Sequence, residues 1–416
     1  MTKTKKCMIF NGSFRALCAI GMLGATGFLG AFCAAAARAE DSPEESRLTT
    51  LYAGTLATQT GSADIQPSQG IYRLEIDPQN DAIHLRCLAA RAKNPSFLAK
   101  NPKIQGVFYS VSDNEDGKSR ESLIIAWKRR ADGTLERLNE LNSAGTCACH
   151  IATHPDGTFV AAANYCSGQV SFFSLLPDGS LDKLNAVHTF EGSGPNRARQ
   201  KQPHAHYVNW SNDGRFAYCC DLGSDKIWCF AWDAEKKAWE PNALAPFTTV
   251  ASGSGPRHLT FSPNGKYVYV LNELSCTLAA FVYDSETGAL TNVQTTSTLP
   301  VGYRGLNKAA AIDVHPSGKY VYCSNRGANI ISVFAVDPEP VDGAIMQCAN
   351  VLTPIQFMPC GGDAPRFAGL TPDGKYFLAC NKKTHNVVLF KVDTATGKLF
   401  ETGNSAALAW CVGIVY

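Results

Sequence analysis

Past residue 150 the chain alternates short polar turns with apolar, aromatic-rich runs, and five times it does so in one phrase. The copies are HPDGTFVAAANY (154–165), SNDGRFAYCCDL (211–222), SPNGKYVYVLNE (262–273), HPSGKYVYCSNR (315–326) and TPDGKYFLACNK (371–382). Their anchor glycines, Gly157, Gly214, Gly265, Gly318 and Gly374, are 57, 51, 53 and 56 residues apart. A second apolar run follows, as in QVSFFSL, KIWCFAW, TLAAFVYD, IISVFAVD and NVVLFKVD. A Pro/Asn/Asp/Gly turn between two such runs is the pattern of a hairpin. A period of roughly 50 residues built from hairpins predicts propeller blades. One unit alone would leave both apolar faces in water, and radial stacking buries them.

Two weaker copies lie upstream, VFYSVSD (107–113) with SLIIAWK (122–128), and LYAGT (51–55) with GIYRLEI (70–76). Together the copies predict an all-β, seven-bladed β-propeller with four-stranded antiparallel blades, spanning 47–416 as one domain. The last segment, LAWCVGIVY (408–416), has no second half of its own. It is expected to pair with the N-terminal blade and close the ring, which removes an exposed sheet edge.

The repeat also serves as a ruler. Seven residues past each anchor stand Asn164, Asp221, Asn272, Asn325 and Asn381. An amide or acid in every copy reads as structural, bonding backbone where the strand ends. One residue further the regularity fails, with Tyr165, Leu222, Glu273, Arg326 and Lys382. Eight residues before the anchors it fails again, with Cys149, His206, Arg257, Ala310 and Arg366. Because the strands entering and leaving the turn are antiparallel, both sets lie at one end of each blade. Around a ring they crowd one mouth of the central channel. Glu273, Arg326, His206, Arg257 and Arg366 would then converge there, with His204 and His258 nearby. His204, His258, Arg366, Tyr165 and His150 are candidates for contacting a substrate. His154 and His315, in turn positions held elsewhere by Ser262 and Thr371, read as turn residues.

Composition narrows the function classes. With 35 glycines, 21 prolines and 45% hydrophobic residues, the chain can supply many turns and a large core. A net charge of +2 gives no field that favours nucleic acid or an anionic membrane surface. GSGPNR (192–197), GSGPR (253–257) and GGDAPR (361–366) precede strands rather than helices, so the helix-based nucleotide loop does not apply. DNEDGKSRE (113–121) reads as an exposed blade loop.

The N-terminus follows separate rules. Lys3, Lys5, Lys6 and Arg15 precede an apolar run from Ala16 to Ala37, and Ala37-Arg38-Ala39 offers a small-x-small cleavage site. This is the grammar of a secretory signal over 1–39, followed by a short polar linker over 40–46. The mature protein is expected to be periplasmic or secreted and free of the membrane, or cytoplasmic if the segment is not a signal. Three of the 16 cysteines fall in that segment, leaving 13. Cys219, Cys220, Cys323 and Cys380 sit mid-strand and read as small buried hydrophobes. Cys147-Ala148-Cys149-His150 lacks the second pair that a zinc site requires. No metal or other cofactor is expected.

These residues carry a resemblance. The chain is similar, from LYAGT to its C-terminus, to the seven-bladed lactonase family that contains 6-phosphogluconolactonases and carboxy-muconate cycloisomerases. The strongest stretches are NPSFLAKNP (94–102), NYCSGQVSFF (164–173), RQKQPHAHYVNWSNDGRF (199–216), DLGSDKI (221–227), GSGPRHLTFSPNG (253–265), LNELS (271–275) and CSNRG (323–327). The family's proposed catalytic groups fall on His204 or His206, Arg257, Glu273 and Arg326. The chain departs from the family pattern at Ala311-Ile312-Asp313, at Ala148 and at Lys382, and these departures bear on substrate choice.

The resemblance implies hydrolysis of a small, acidic, sugar-type lactone to the hydroxy acid. Glu273 or a neutral His206 would deprotonate water. Arg257 would stabilise the oxyanion, and Arg326 with Arg366 would clamp a carboxylate or phosphate. A lactonising cycloisomerase and a non-catalytic binding propeller are the alternative readings, and retention of Glu273 with His206 favours an enzyme. The signal reading has a direct check. N-terminal sequencing of protein from its native host should begin near Glu40, and a full-length cytosolic chain would reject export.

Overall fold

The structure is a computed structural model, and it describes residues 48–56, 68–113, 121–337 and 351–416. The proposed signal and linker lie outside the described residues, as does the interior of the 113–121 loop. Every described regular element is a strand, in seven antiparallel sheets. The innermost strands are Phe97–Lys100, Ala148–Thr153, Ala205–Trp210, Pro256–Phe261, Lys308–Val314, Pro365–Leu370 and Cys411–Val415. Each of these packs against the next, and the last packs against the first, so the sheets close into a ring.

Closure is made by the C-terminus. Cys411–Val415 pairs antiparallel with Thr49–Thr55, matching Tyr52 to Val415 and Ala53 to Ile414. The N-terminal blade is thus built from both ends of the chain, as the orphan apolar segment predicts. One blade departs from four unbroken strands. Opposite Lys226–Asp233 the outer strand is split into Ala238–Pro241 and Phe247–Thr249. Pro241 and Pro246 flank the break, and proline cannot donate to a ladder. The backbone there closes through Asn242 N to Cys229 O and Cys229 N to Pro246 O, each 2.9 Å.

The apolar runs are unbroken because each sheet is covered on both faces. In Phe159–Asn164, Val160 and Ala162 pack into one inter-blade core, and Ala161 and Ala163 into the next. Cys219 and Cys220 divide between neighbouring cores in the same way. These cysteines fill space that larger side chains would overpack.

The anchor turns repeat in detail. All five glycines adopt φ between 69° and 77°. Each donates its N–H three residues back, to His154, Ser211, Ser262, His315 or Thr371. His154 then reaches across the blade boundary, its Nε2 2.9 Å from Gly214 O. At the other strand end the repeated amides bond backbone and hydroxyls. Asn164 Nδ2 donates to Ser143 O (3.2 Å) and Ser171 Oγ (3.0 Å), and Asn325 Nδ2 to Thr298 O (3.2 Å) and Ser332 Oγ (3.0 Å). Both readings, turn histidines and structural amides, agree with the structure.

A Cβ on Gly214 would lie 2.6 Å from His154 Nε2, in a backbone region that favours glycine. Gly214→Ala should therefore cost roughly 2–3 kcal/mol. Gly302 also has positive φ but has nothing within 4 Å of its would-be Cβ. Gly302→Ala should cost only about 1 kcal/mol. Urea midpoints at unchanged slope measure the difference, and equal losses would remove the His154 contact from the account.

Candidate active site

Six of the seven inner strands carry one extra residue at the same place; in the closing strand it is Val412, between Cys411 and Gly413. The pairing runs Ala148↔Asn164 then His150↔Ala163, Ala205↔Asp221 then Tyr207↔Cys220, and Pro256↔Asn272 then His258↔Leu271. It shifts again between Ala309 and Ile312, and between Pro365 and Phe367. The other bulged residues are Cys149, His206, Arg257, Ala310 in the Ala309–Ile312 irregularity, and Arg366. A bulge re-aims its side chain and ends regular pairing. Here it places Cys149, His206 and Arg366 in the wall of the mouth and Arg257 behind it.

The mouth holds a cavity of about 360 Å³ lined by Cys147, Cys149, Tyr165, Arg199, His206, Glu273, Lys308, Arg326 and Arg366. At its centre Glu273 is 2% exposed. A carboxylate this deep is costly unless it is paired. Arg326 Nη2 lies 2.8 Å and Arg257 Nε 3.0 Å from Oε2, and Arg199 Nη1 lies 2.8 Å from Oε1. The Arg257 contact is ionic without hydrogen-bond geometry. Burial pushes the Glu273 pKa up, but Arg326, Arg257, His206 and Arg199 outweigh it and hold the carboxyl well below its ordinary range. With both oxygens facing guanidinium groups, Glu273 is a feeble base. Its geometry suits a counter-ion that gathers arginines.

His206 has the opposite character. Burial, then the positive charge of Arg257, drives its pKa well below the ordinary imidazole value. Its Nδ1 lies 3.9 Å from Cys149 Sγ, and its ring meets Tyr165 edge-on at 5.4 Å. The Cys149 thiol, pushed up to about 12 by burial, stays protonated at neutral pH. It is therefore not a nucleophile.

Arg257 is 2% exposed and lies behind Glu273. It donates to Ala310 O and, over 2.8 Å, to His258 Nε2. It stands behind the cavity wall, against Glu273, rather than in the wall itself. Arg326 does line it, fixed by Glu273 and by Ala309 O at 2.8 Å. Arg366 lines it too, near Lys308, and no acidic side chain in the cavity wall lies against it.

His150 and His258 also stand outside the cavity wall. They immediately follow bulged residues, where regular pairing resumes, and they turn beneath the cavity. With Tyr207, Phe367 and Phe97 they form an aromatic floor across the channel. His150 packs tilted against Tyr207 at 3.7 Å and Phe97 at 4.1 Å, and His258 packs tilted against Tyr207 at 4.4 Å. His204 stands at the rim, stacked on Tyr165 at 4.3 Å with Nδ1 3.0 Å from Tyr165 O.

Arg199 is, with Lys308, a cavity residue that the ruler misses. It comes from the loop between two blades, where strand register does not count. Gln200, fully buried, staples that loop through Leu222 O at 2.9 Å and Asp225 Oδ1 at 2.8 Å. Arg199 is thereby delivered over Glu273, with Nη2 3.1 Å from Tyr165 OH. Tyr165 is itself held by a Cys147–Cys166 disulfide and by its N–H to Cys147 O at 3.1 Å. The only sequence signal for Arg199 is its place at the head of the RQKQPHAH stretch.

A second cavity of about 510 Å³ shares Lys308, Arg326 and Arg366 with the first and continues to Lys382 and Trp410. Lys382 Nζ lies 4.1 Å over the Trp410 ring. Burial, then Arg366 and Arg326, lowers the Lys382 pKa to about 8. A third cavity, of about 540 Å³, lies at the anchor-turn end among Asn212, Asn264, Lys266 and Tyr283, far from this constellation. The Gly253 and Gly255 amides donate to Asp225 at 2.7 and 2.8 Å, so that glycine loop is already occupied. Among the described residues no group of three or more His, Cys, Asp or Glu could hold a metal ion.

Comparison with known proteins agrees with the fold. The model of a seven-bladed β-propeller lactonase family matches residues 50–415. A 6-phosphogluconolactonase of Bacillus subtilis (strain 168) is 33% identical over 353 residues, covering 84% of this chain and 94% of that protein. A putative 6-phosphogluconolactonase from Bacteroides uniformis superposes with a TM-score of 0.76 at 31% identity, covering 89% of this chain and 99% of its own. The periplasmic gluconolactonase of Pseudomonas aeruginosa gives a TM-score of 0.79 at 26% identity, with coverage of 89% and 99%. The chain therefore belongs to the seven-bladed β-propeller lactonase family.

Proposed function

We propose that this chain is a 6-phosphogluconolactonase-like lactonase, exported from the cytoplasm, that opens an acidic sugar-type lactone to its hydroxy acid. The observation that carries the reading is the convergence, in one cavity, of a neutral buried imidazole and an excess of cations. Arg199, Arg326, Arg366 and Lys308 line it against the single carboxylate of Glu273. Such a field suits a substrate that is anionic and becomes more so at its reacting carbonyl. Export is supported by the N-terminal signal pattern and by the periplasmic gluconolactonase among the similar structures.

In this mechanism His206 is the base. Its Nδ1 faces Cys149, leaving Nε2 to take a proton from water as the oxygen attacks the lactone carbonyl. Arg326, pre-set by Glu273 and Ala309 O, donates to the oxyanion. Collapse breaks the ring ester bond, and the imidazolium of His206 returns its proton to the leaving alkoxide. One water is consumed, and one hydroxyl and one carboxylic acid appear, the acid then ionising and releasing a proton to solvent. Arg366 and Lys308 hold the acidic group of the substrate. Glu273 orders the arginines and takes no proton.

His206→Asn should lower turnover by roughly 10²–10⁴-fold, measured as acid release above spontaneous hydrolysis. Its folded pKa is depressed, so the base stays neutral as pH falls through the ordinary imidazole range. In the wild type kcat/KM should hold level through pH 6.5 and fall only well below it. A sigmoidal loss centred near 6.5 would exclude a buried His206 as the base.

Arg366→Ala should raise KM for acidic lactones by about tenfold or more while leaving neutral lactones unaffected. Equal effects on both would remove the proposed clamp.

A further inference from the structure

The ring has one joint that depends on a chain end. Cys411–Val415 supplies the inner strand of the N-terminal blade and packs beside Pro365–Leu370 and Tyr376–Asn381 of the last blade. Strands at a terminus are the first to fray. At this seam Cys411 Sγ lies 3.0 Å from Cys380 Sγ. Non-bonded carbon atoms settle at about 3.5–4.0 Å and sulfur is larger than carbon, whereas a disulfide bond is about 2.05 Å long. The two sulfurs are therefore inside ordinary contact and about one ångström from bonding. Both are essentially inaccessible, 0% and 1% exposed, in a core shared with Leu51, Ala53, Leu378, Val387 and Ile414.

We propose that Cys380 and Cys411 form a second disulfide that fastens the closing strand to the last blade when the chain folds in the presence of a disulfide oxidant. One thiolate attacks the oxidant's disulfide and releases a first thiol. The other cysteine attacks the resulting mixed disulfide and releases a second. Two electrons and two protons pass to the oxidant, and one S–S bond forms within the chain. The buried seam sets the order of events. Burial raises the Cys380 pKa, so in the closed ring the thiolate is scarce and the oxidant has no access. The bond forms while the seam is still open and is then sealed inside the core. Because Lys382 follows Cys380 by two residues and lines the outer cavity, the same bond fixes one wall of the site.

The test is refolding of the full chain with oxidised and reduced glutathione, then unfolding and alkylation without reductant, and peptide mapping by mass spectrometry. The peptide pair joined through Cys147 and Cys166 serves as the internal control for oxidation. A joined pair containing Cys380 and Cys411 is the expected result. If the control pair is joined while Cys380 and Cys411 both carry the alkyl label, or if either is joined elsewhere, the proposal is overturned. Thermal unfolding provides a second readout. Oxidation should raise the Tm of the wild type, and Cys411→Ala should retain only part of that rise, falling short by roughly 3–6 °C. An identical rise in Cys411→Ala would overturn the proposal as well.

Discussion

A single inserted residue in six of the seven inner strands separates scaffold from site in this ring. A regular ladder would alternate side chains between the two faces of each sheet and leave the channel mouth lined by whatever the blade cores could spare. The bulge breaks that alternation at one register in six blades. The extra residue is released from pairing, and the next one resumes the ladder. Chemistry and packing are thereby stacked in two tiers. Cys149, His206 and Arg366 line the cavity, with Arg257 behind its carboxylate. His150, Tyr207, His258 and Phe367 form the floor beneath them.

That geometry concentrates positive charge and must then manage it. Four arginines in so small a volume would repel one another, and Glu273 is the one carboxylate in the cavity wall that answers them. It spends both oxygens on Arg199, Arg257 and Arg326. Burial first, and then the positive charge of Arg257, keep His206 uncharged at rest. A carboxylate that stays ionised and an imidazole that stays neutral both follow from one buried, positive site. The proposed division of labour, with Glu273 as organiser and His206 as base, rests on that contrast.

Much of this was legible in the sequence because the fold repeats. Gly157, Gly214, Gly265, Gly318 and Gly374 mark turns that demand positive φ, so their spacing gives the blades and their count. Counting from them finds His206, Glu273, Arg326 and Arg366, because register is conserved between blades. The count could not separate Arg257 and His258 from the cavity wall, since a bulge shifts parity without leaving a mark in a repeat of strands. Arg199 was invisible for the complementary reason: its position is set by Gln200 bonding across a loop, and loops have no register. The partner of Cys147 was equally hidden. Cys166 lies 19 residues on, beyond a strand whose length alone decides that the two meet.

The role of Glu273 is the point on which the account turns, and Glu273→Gln tests it when Tm and the pH dependence of kcat/KM are measured together. The amide keeps the shape but leaves three arginines without their counter-ion. The expected result is a loss of about 3 kcal/mol in stability together with reduced activity. The low-pH fall in kcat/KM should remain, since His206 still titrates. An unchanged Tm with that fall abolished would make Glu273 the base and contradict the account.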